Sequence, residues 1–109
     1  MNWTTLDSAD QLLSIKQTPG YAVIFKHSTR CPISAMAKRK FELDLDRFPG
    51  EIPLYFLDLI KYREISNKIV DDFSIHHESP QMLLIKDGEC ILDQSHGEIN
   101  VDDTLLMIE

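Results

Sequence analysis

A short apolar run that leads into a cysteine at the start of a helix constrains the fold of this chain more than any other feature. Residues 21–25 are mostly apolar and follow Gly20, which predicts a strand that is buried on both faces. From Pro32 to about Phe48, apolar side chains recur at helical spacing until Pro49 and Gly50 end the run. The sequence therefore predicts a central strand followed at once by a long helix, at residues 32–48.

Cys31 stands at the junction of these two elements. The first turn of a helix has unpaired N–H groups and the positive end of the helix dipole, so it stabilises an anionic sulfur. Pro32 suits the first helical position because no N–H is needed there. Lys26, His27 and Arg30 are expected to add positive charge nearby. These residues favour an activated nucleophile over the alternative, a buried and unreactive cysteine that happens to begin a helix.

The remaining segments predict an α/β fold with the order α, β, α, β, α, β, β, α. A long helix joins the first two strands, which are therefore parallel, and an Asp-Gly turn joins the last two as an antiparallel hairpin. The further elements are a capped helix after Ser8, a strand at 53–59, a helix at 62–73, strands at 81–86 and 89–93, and a helix through residue 108 capped by Asn100 or Asp102. We expect one domain, residues 1–109, with a mixed four-stranded sheet.

Composition limits the functions that this sequence can have. With 109 residues, 43% of them hydrophobic, the chain is long enough for one core and too short for two. A net charge of −7 argues against partners with anionic surfaces, such as nucleic acids and acidic membranes. The amino terminus lacks the pattern of a signal peptide, and the two cysteines have dissimilar surroundings. We therefore expect a cytoplasmic protein whose thiols are reduced.

Four landmarks occur in the order that thioredoxin-fold proteins show. They are Cys31 after the first central strand, Ser79-Pro80 before the hairpin, the turn at residues 86–89, and Gly97 before the last helix. The sequence resembles the thioredoxin-like superfamily along nearly its whole length. The resemblance implies a thioredoxin-like fold with an extra N-terminal helix, and a cis peptide bond before Pro80.

The cysteine motif narrows the resemblance further. Thioredoxins carry two cysteines separated by two residues, whereas this chain has Cys31-Pro-Ile-Ser34 and is therefore monothiol. The motif is similar to the Thr-Cys-Pro-Ile-Ser signature of the monothiol bacilliredoxins, the bacilliredoxin C-like family. The one departure is Arg30, which stands between Thr29 and the cysteine. We expect Ser34 to donate a hydrogen bond to the Cys31 thiolate.

The resemblance implies an enzyme that removes bacillithiol from S-bacillithiolated proteins through a mixed disulfide on Cys31. It implies no bound cofactor, with bacillithiol acting as a thiol co-substrate. The bacillithiol taken up by the cysteine would be removed by free bacillithiol, by a dithiol bacilliredoxin, or by Cys90. The pattern of the hairpin places Cys90 where a buried side chain is usual, so we favour a structural role for it.

Four residues outside the motif are implied to contact the substrate. In the family, the backbone before the cis proline pairs with the substrate as an added strand, which assigns that contact to Ser79 and Pro80. His96 and Gly97 are implied to lie beside the same groove, and His96 is expected to contact a carboxylate of the low-molecular-weight thiol.

Several alternatives remain open on the sequence alone. A metal site at His76, His77 and Glu78 is less favoured than a solvated loop, because adjacent histidines do not easily share one ion. Asp58 is expected to be a solvent-facing strand end rather than a proton acceptor. Two rival functions are a monothiol glutaredoxin, whose glycine pattern this chain lacks, and a redox-sensing or adaptor module without turnover.

Overall fold

Five strands and four α-helices make up the part of the chain that the computed structural model describes, residues 3–108. The strands are β1 (Thr4–Thr5), β2 (Tyr21–His27), β3 (Leu54–Asp58), β4 (Gln81–Lys86) and β5 (Glu89–Ser95). The α-helices are α1 (Ala9–Gln17), α2 (Pro32–Glu42), α3 (Arg63–Phe73) and α4 (Val101–Leu106). Single turns of 3-10 helix lie at Leu45–Arg47 and His96–Glu98. None of the helices within residues 3–108 is both long and apolar enough to cross a membrane.

The strands form one mixed sheet in the order β1-β3-β2-β4-β5. β2 lies at its centre, as the pattern of residues 21–25 predicted, and it is parallel to β3, as the connecting helix predicted. On its other side it is antiparallel to β4. The predicted count of four strands was one too low. The additional strand, β1, pairs Thr4 with Tyr55 and Thr5 with Phe56. It is only two residues long, so it is too short to show the alternation by which strands are recognised.

The central strand is two residues longer than predicted. Lys26 and His27 continue the parallel pairing with β3, opposite Leu57 and Asp58 respectively. Both side chains are buried, although their polarity suggested that the strand had already ended. Backbone pairing with a neighbouring strand has therefore outweighed the polar character of these two residues.

The helix after Cys31 is shorter than predicted. It ends at Glu42 rather than near Phe48, because the N–H of Asp44 donates to the carbonyl of Phe41 at 3.1 Å and the backbone tightens into a 3-10 turn. Leu45 and Phe48 nevertheless remain buried. Their spacing of three residues suits one face of a 3-10 turn as well as it suits a helix.

Side chains from the two faces of the sheet form two separate hydrophobic clusters. Because successive residues of a strand point to opposite faces, Val23 and Phe25 join one cluster while Ala22 and Ile24 join the other. The first cluster also includes Phe41 of α2, and the second includes Leu12 of α1. β2 is thus covered on both faces, and the chain continues from its C-terminal end to Cys31.

The hairpin between β4 and β5 has the predicted Asp-Gly turn. Asp87 and Gly88 both have positive φ angles, 51° and 83°, as a type I′ turn requires. The turn is also bound to the start of β2, since the N–H of Gly20 donates to Asp87 Oδ1 at 2.7 Å. A Cβ atom on Gly88 would collide with the backbone carbonyl of Lys16.

We predict that Gly88→Ala destabilises the protein by about 1–3 kcal/mol, because it combines a left-handed backbone with that collision. Gly50→Ala is the matched control, since a Cβ there meets nothing within 4 Å. Urea unfolding of the three proteins measures the difference. Equal unfolding midpoints for the two variants would show that the described turn is wrong.

Candidate active site

Cys31 is the residue at which α2 begins. Its backbone is extended (φ −111°, ψ 116°), and Pro32 follows at the first helical position, as predicted. The N–H of Ala35 donates to the carbonyl of Cys31 at 3.1 Å, and the N–H of Cys31 donates to the carbonyl of Ser28 at 3.2 Å. The side chain is only partly buried. Cys31 is therefore partly exposed to solvent at the positive end of the helix.

Ser34, which stands where a thioredoxin has its second cysteine, is fully buried. Its Oγ lies 2.7 Å from Nδ1 of His27 and accepts the backbone N–H of Ser28 at 3.0 Å. The expected hydrogen bond to Cys31 is not among the hydrogen bonds of residues 3–108. This hydroxyl instead joins the first turn of α2 to the end of β2.

His27 is buried against α2 and β3. Burial lowers its pKa, and Lys38 acts in the same direction, while Asp58, a hydrogen bond with the Ser34 backbone and Glu42 oppose the shift. Its ring packs near Phe56, with 5.5 Å between centroids. The imidazole therefore favours its neutral form, so the sequence-based expectation of a charge at this position was wrong.

Lys26 does not supply an exposed charge either. The side chain is fully buried, and its Nζ lies 2.9 Å from Nδ1 of His77 in the loop before β4. Burial lowers the pKa of Lys26 to about 8. Of the three basic residues that precede the cysteine, only Arg30 is exposed. Within residues 3–108, no group of three or more His, Cys, Asp or Glu side chains is arranged to hold a metal ion.

The Ser79–Pro80 peptide bond is cis, as the resemblance implied. Pro80 is buried, and its carbonyl accepts the N–H of His96 at 3.1 Å. The next residue, Gln81, pairs with Lys26 on one side and with Ser95 on the other. These pairings place Pro80 and His96 at the same end of the sheet as the end of β2, from which the chain continues to Cys31.

A groove of about 350 Å³ lies between α2 and the segment after β5. Its apolar side is formed by Ile33 and Met36, which are 64% and 69% exposed. The full lining is Ile33, Met36, Ala37, Lys40, His96, Gly97 and Ile99. The predicted residues His96 and Gly97 are thus brought beside the helix that Cys31 begins. A larger cavity, about 520 Å³, lies at the other end of β2 and contains none of the predicted site residues.

Cys90 lies on β5 and, like Cys31, is partly buried, but its surroundings are different. Its side chain packs against the cluster that includes α1 and α3, and its Sγ donates to the carbonyl of Leu92 at 3.4 Å. Burial raises the pKa of this thiol to about 11, and Asp93 acts in the same direction. Cys90 is therefore a protonated thiol at neutral pH.

Asp58, the last residue of β3, is half-buried rather than solvent-facing. Its Oδ1 accepts the backbone N–H groups of Ile60 at 3.1 Å and Lys61 at 3.2 Å. The carboxylate therefore stabilises the turn that leads to α3.

His27 is the site residue that the sequence reasoning missed. It was predicted to add positive charge beside Cys31, but its place in the strand is informative as well. Counting by two from Val23 and Phe25 places His27 on the same face of β2, which is the face that α2 covers. Extending the strand by two residues would have predicted a contact between His27 and the first turns of α2.

Comparison with known proteins agrees with the fold and the motif. The family described as "Monothiol bacilliredoxin BrxC" matches residues 4–104. A solved structure described as having a thioredoxin fold is 32% identical, with a TM-score of 0.80 over 94% of this chain and 89% of that one. The thioredoxin of Fasciola hepatica is 18% identical, with a TM-score of 0.76 over 96% and 98%. The thioredoxin of Malassezia sympodialis is also 18% identical, with a TM-score of 0.75 over 97% and 87%.

We predict that iodoacetamide modifies Cys31 much faster than Cys90 in the native protein near pH 7.5, because only Cys31 combines exposure with a helix N-terminus. Peptide mass spectrometry after timed quenching gives both rates. In urea, where burial no longer protects Cys90, the two rates should converge. Equal rates in the native protein would contradict the described environments.

Proposed function

The chain belongs to the monothiol bacilliredoxin family, and we propose that it removes bacillithiol from S-bacillithiolated cytoplasmic proteins through a mixed disulfide on Cys31. The family and the thioredoxin fold make it a thiol oxidoreductase-like protein. The observation that carries the proposal is the contrast between its two thiols. Both are partly buried, but Cys31 lies at the start of α2, whereas burial keeps Cys90 protonated on β5.

The first step is an exchange that balances without any external oxidant. The Cys31 thiolate attacks the bacillithiol sulfur of the client's mixed disulfide. A disulfide bond forms between Cys31 and bacillithiol, the bond to the client breaks, and the client leaves as a thiolate that takes a proton from water. No net oxidation or reduction occurs, because one disulfide replaces another.

The second step needs a thiol from another molecule. Ser34 has no sulfur, and the raised pKa of Cys90 leaves little thiolate to attack a disulfide. Free bacillithiol or a dithiol bacilliredoxin would attack the bacillithiol sulfur on Cys31 and release the cysteine as a thiolate. Bacillithiol therefore serves as a co-substrate, and the protein needs no bound cofactor.

The surroundings of Cys31 support the substrate contacts proposed for this reaction. The backbone of Ser79 precedes the cis proline at the same end of the sheet and would pair with an extended client segment. Ile33 and Met36 offer exposed apolar surface two and five residues after the cysteine. Arg30 and His96 are exposed and would meet the carboxylates of bacillithiol.

Intact mass spectrometry tests the reaction directly. We predict that the reduced protein, mixed with a bacillithiolated test protein, gains one bacillithiol while the test protein loses it. Cys31→Ala should gain nothing, and Cys90→Ala, the matched control, should react at close to the wild-type rate. If no transfer occurs although Cys31 is alkylated rapidly, the proposal fails and a redox-sensing or adaptor module becomes the better account.

A further inference from the structure

The hydrogen bonds of Ser34 determine where its hydroxyl proton points. A serine hydroxyl has one proton to donate and two lone pairs that accept. One lone pair accepts the N–H of Ser28 at 3.0 Å, and Oγ also lies 2.7 Å from Nδ1 of His27. Ser34 is fully buried, so a hydroxyl proton without a partner would be costly. Each of these donors has an acceptor if the Ser28 N–H donates to the Ser34 oxygen and the Ser34 hydroxyl donates to Nδ1 of His27.

This arrangement defines the tautomer of His27. If Nδ1 accepts the hydroxyl proton, the neutral ring must carry its own proton on Nε2. Protonation of the ring places a second proton on Nδ1, which then has to donate. The Ser34 oxygen would accept from both Nδ1 and the Ser28 N–H, and its own proton would have to turn elsewhere.

The position of Cys31 makes it the group toward which that proton would turn. Cys31 is the N-cap of α2 and Ser34 is the third residue of the helix. Residues three apart at the start of a helix are neighbours, with about 5–6 Å between their Cβ atoms. Cys31 is also the group near Ser34 that gains most from a donor when it is ionised.

We propose that His27 is a positioning residue that holds the Ser34 hydroxyl away from Cys31 in its neutral form, and that its protonation releases this hydroxyl to the Cys31 sulfur. The proposal rests on Cys31 as the nucleophile of the proposed function. It adds that the protonation state of His27 changes the nucleophilicity of the Cys31 thiolate. A thiolate that accepts a hydrogen bond is more stable and less nucleophilic, so the neutral state of His27 is the faster one.

The charges around His27 set the pH range in which this change occurs. α2 contributes Lys38 and Glu42, which are paired with each other at 2.9 Å, and β3 contributes Asp58. Glu42 is also bound by the indole N–H of Trp3 at 2.7 Å. Burial and Lys38 lower the pKa of His27, so the ring is neutral at neutral pH and takes its proton below the ordinary range of histidine.

NMR of the ¹⁵N-labelled protein tests the tautomer. We expect the Nε2–H form of His27 at neutral pH in the wild type and in Ser34→Thr, which keeps the hydroxyl. In Ser34→Ala, Nδ1 loses its donor and the preference for this tautomer should weaken. An Nδ1–H tautomer in the wild type at neutral pH would overturn the proposal, and this result needs no variant to fold.

The pH dependence of Cys31 alkylation by iodoacetamide tests the link to the cysteine. After correction for the thiolate fraction, the wild-type rate should fall several-fold as pH drops through the titration of His27 measured by NMR. Ser34→Thr should show the same inflection, whereas Ser34→Ala and His27→Gln should lose it. An inflection that persists in Ser34→Ala, or none in the wild type, would contradict the proposal. Alkylation involves no bacillithiol, so failure of the transfer reaction would leave this test intact.

Discussion

The hydrogen bonds of the Ser34 hydroxyl are the interaction on which the geometry of this site depends. They join the last residues of β2 to the first turn of α2 across the turn that contains Cys31. They act together with the backbone contact between Cys31 and Ser28 and with the packing of Phe41 against the sheet. A serine at this position is therefore more than a missing cysteine, because the oxygen makes contacts that a larger and weaker-bonding sulfur would not reproduce.

Strand register places the other elements of the site at the end of the sheet where β2 ends and the chain continues to Cys31. β4 runs antiparallel to β2, so the residues that begin β4 lie beside those that end β2. The cis proline and the segment after β5 are brought there together, since Pro80 accepts the N–H of His96. The two cysteines are separated by the same sheet, with Cys31 at the helix that covers one face and Cys90 packed with the cluster on the other. This separation supports the proposal that the second thiol of the reaction comes from another molecule.

Much of the fold could be predicted from the sequence, because its signals are local. The apolar run after Gly20, the Asp87-Gly88 turn and the capping residues Ser8 and Asn100 each act through neighbouring residues, and each prediction was confirmed. The cis peptide bond before Pro80 was instead predicted from the resemblance to thioredoxin-fold proteins. What was missed depends on contacts between distant segments: the pairing of β1 with β3, and the burial of Lys26 and His27. Whether Ser34 binds Cys31 or His27 depends on a side-chain orientation that spacing alone does not determine.

A crystal structure of the Cys31 adduct with bacillithiol, formed by transfer from a bacillithiolated protein, would show which thiol carries the bacillithiol and where it lies. We predict a disulfide on Cys31, with the rest of the bacillithiol lying over Ile33 and Met36 toward His96 and Gly97. Cys90 should remain a free thiol, and the Ser34 oxygen should still lie within hydrogen-bonding distance of His27. Bacillithiol attached to Cys90, or an adduct on Cys31 that leaves the groove empty and displaces Ser34, would contradict this prediction.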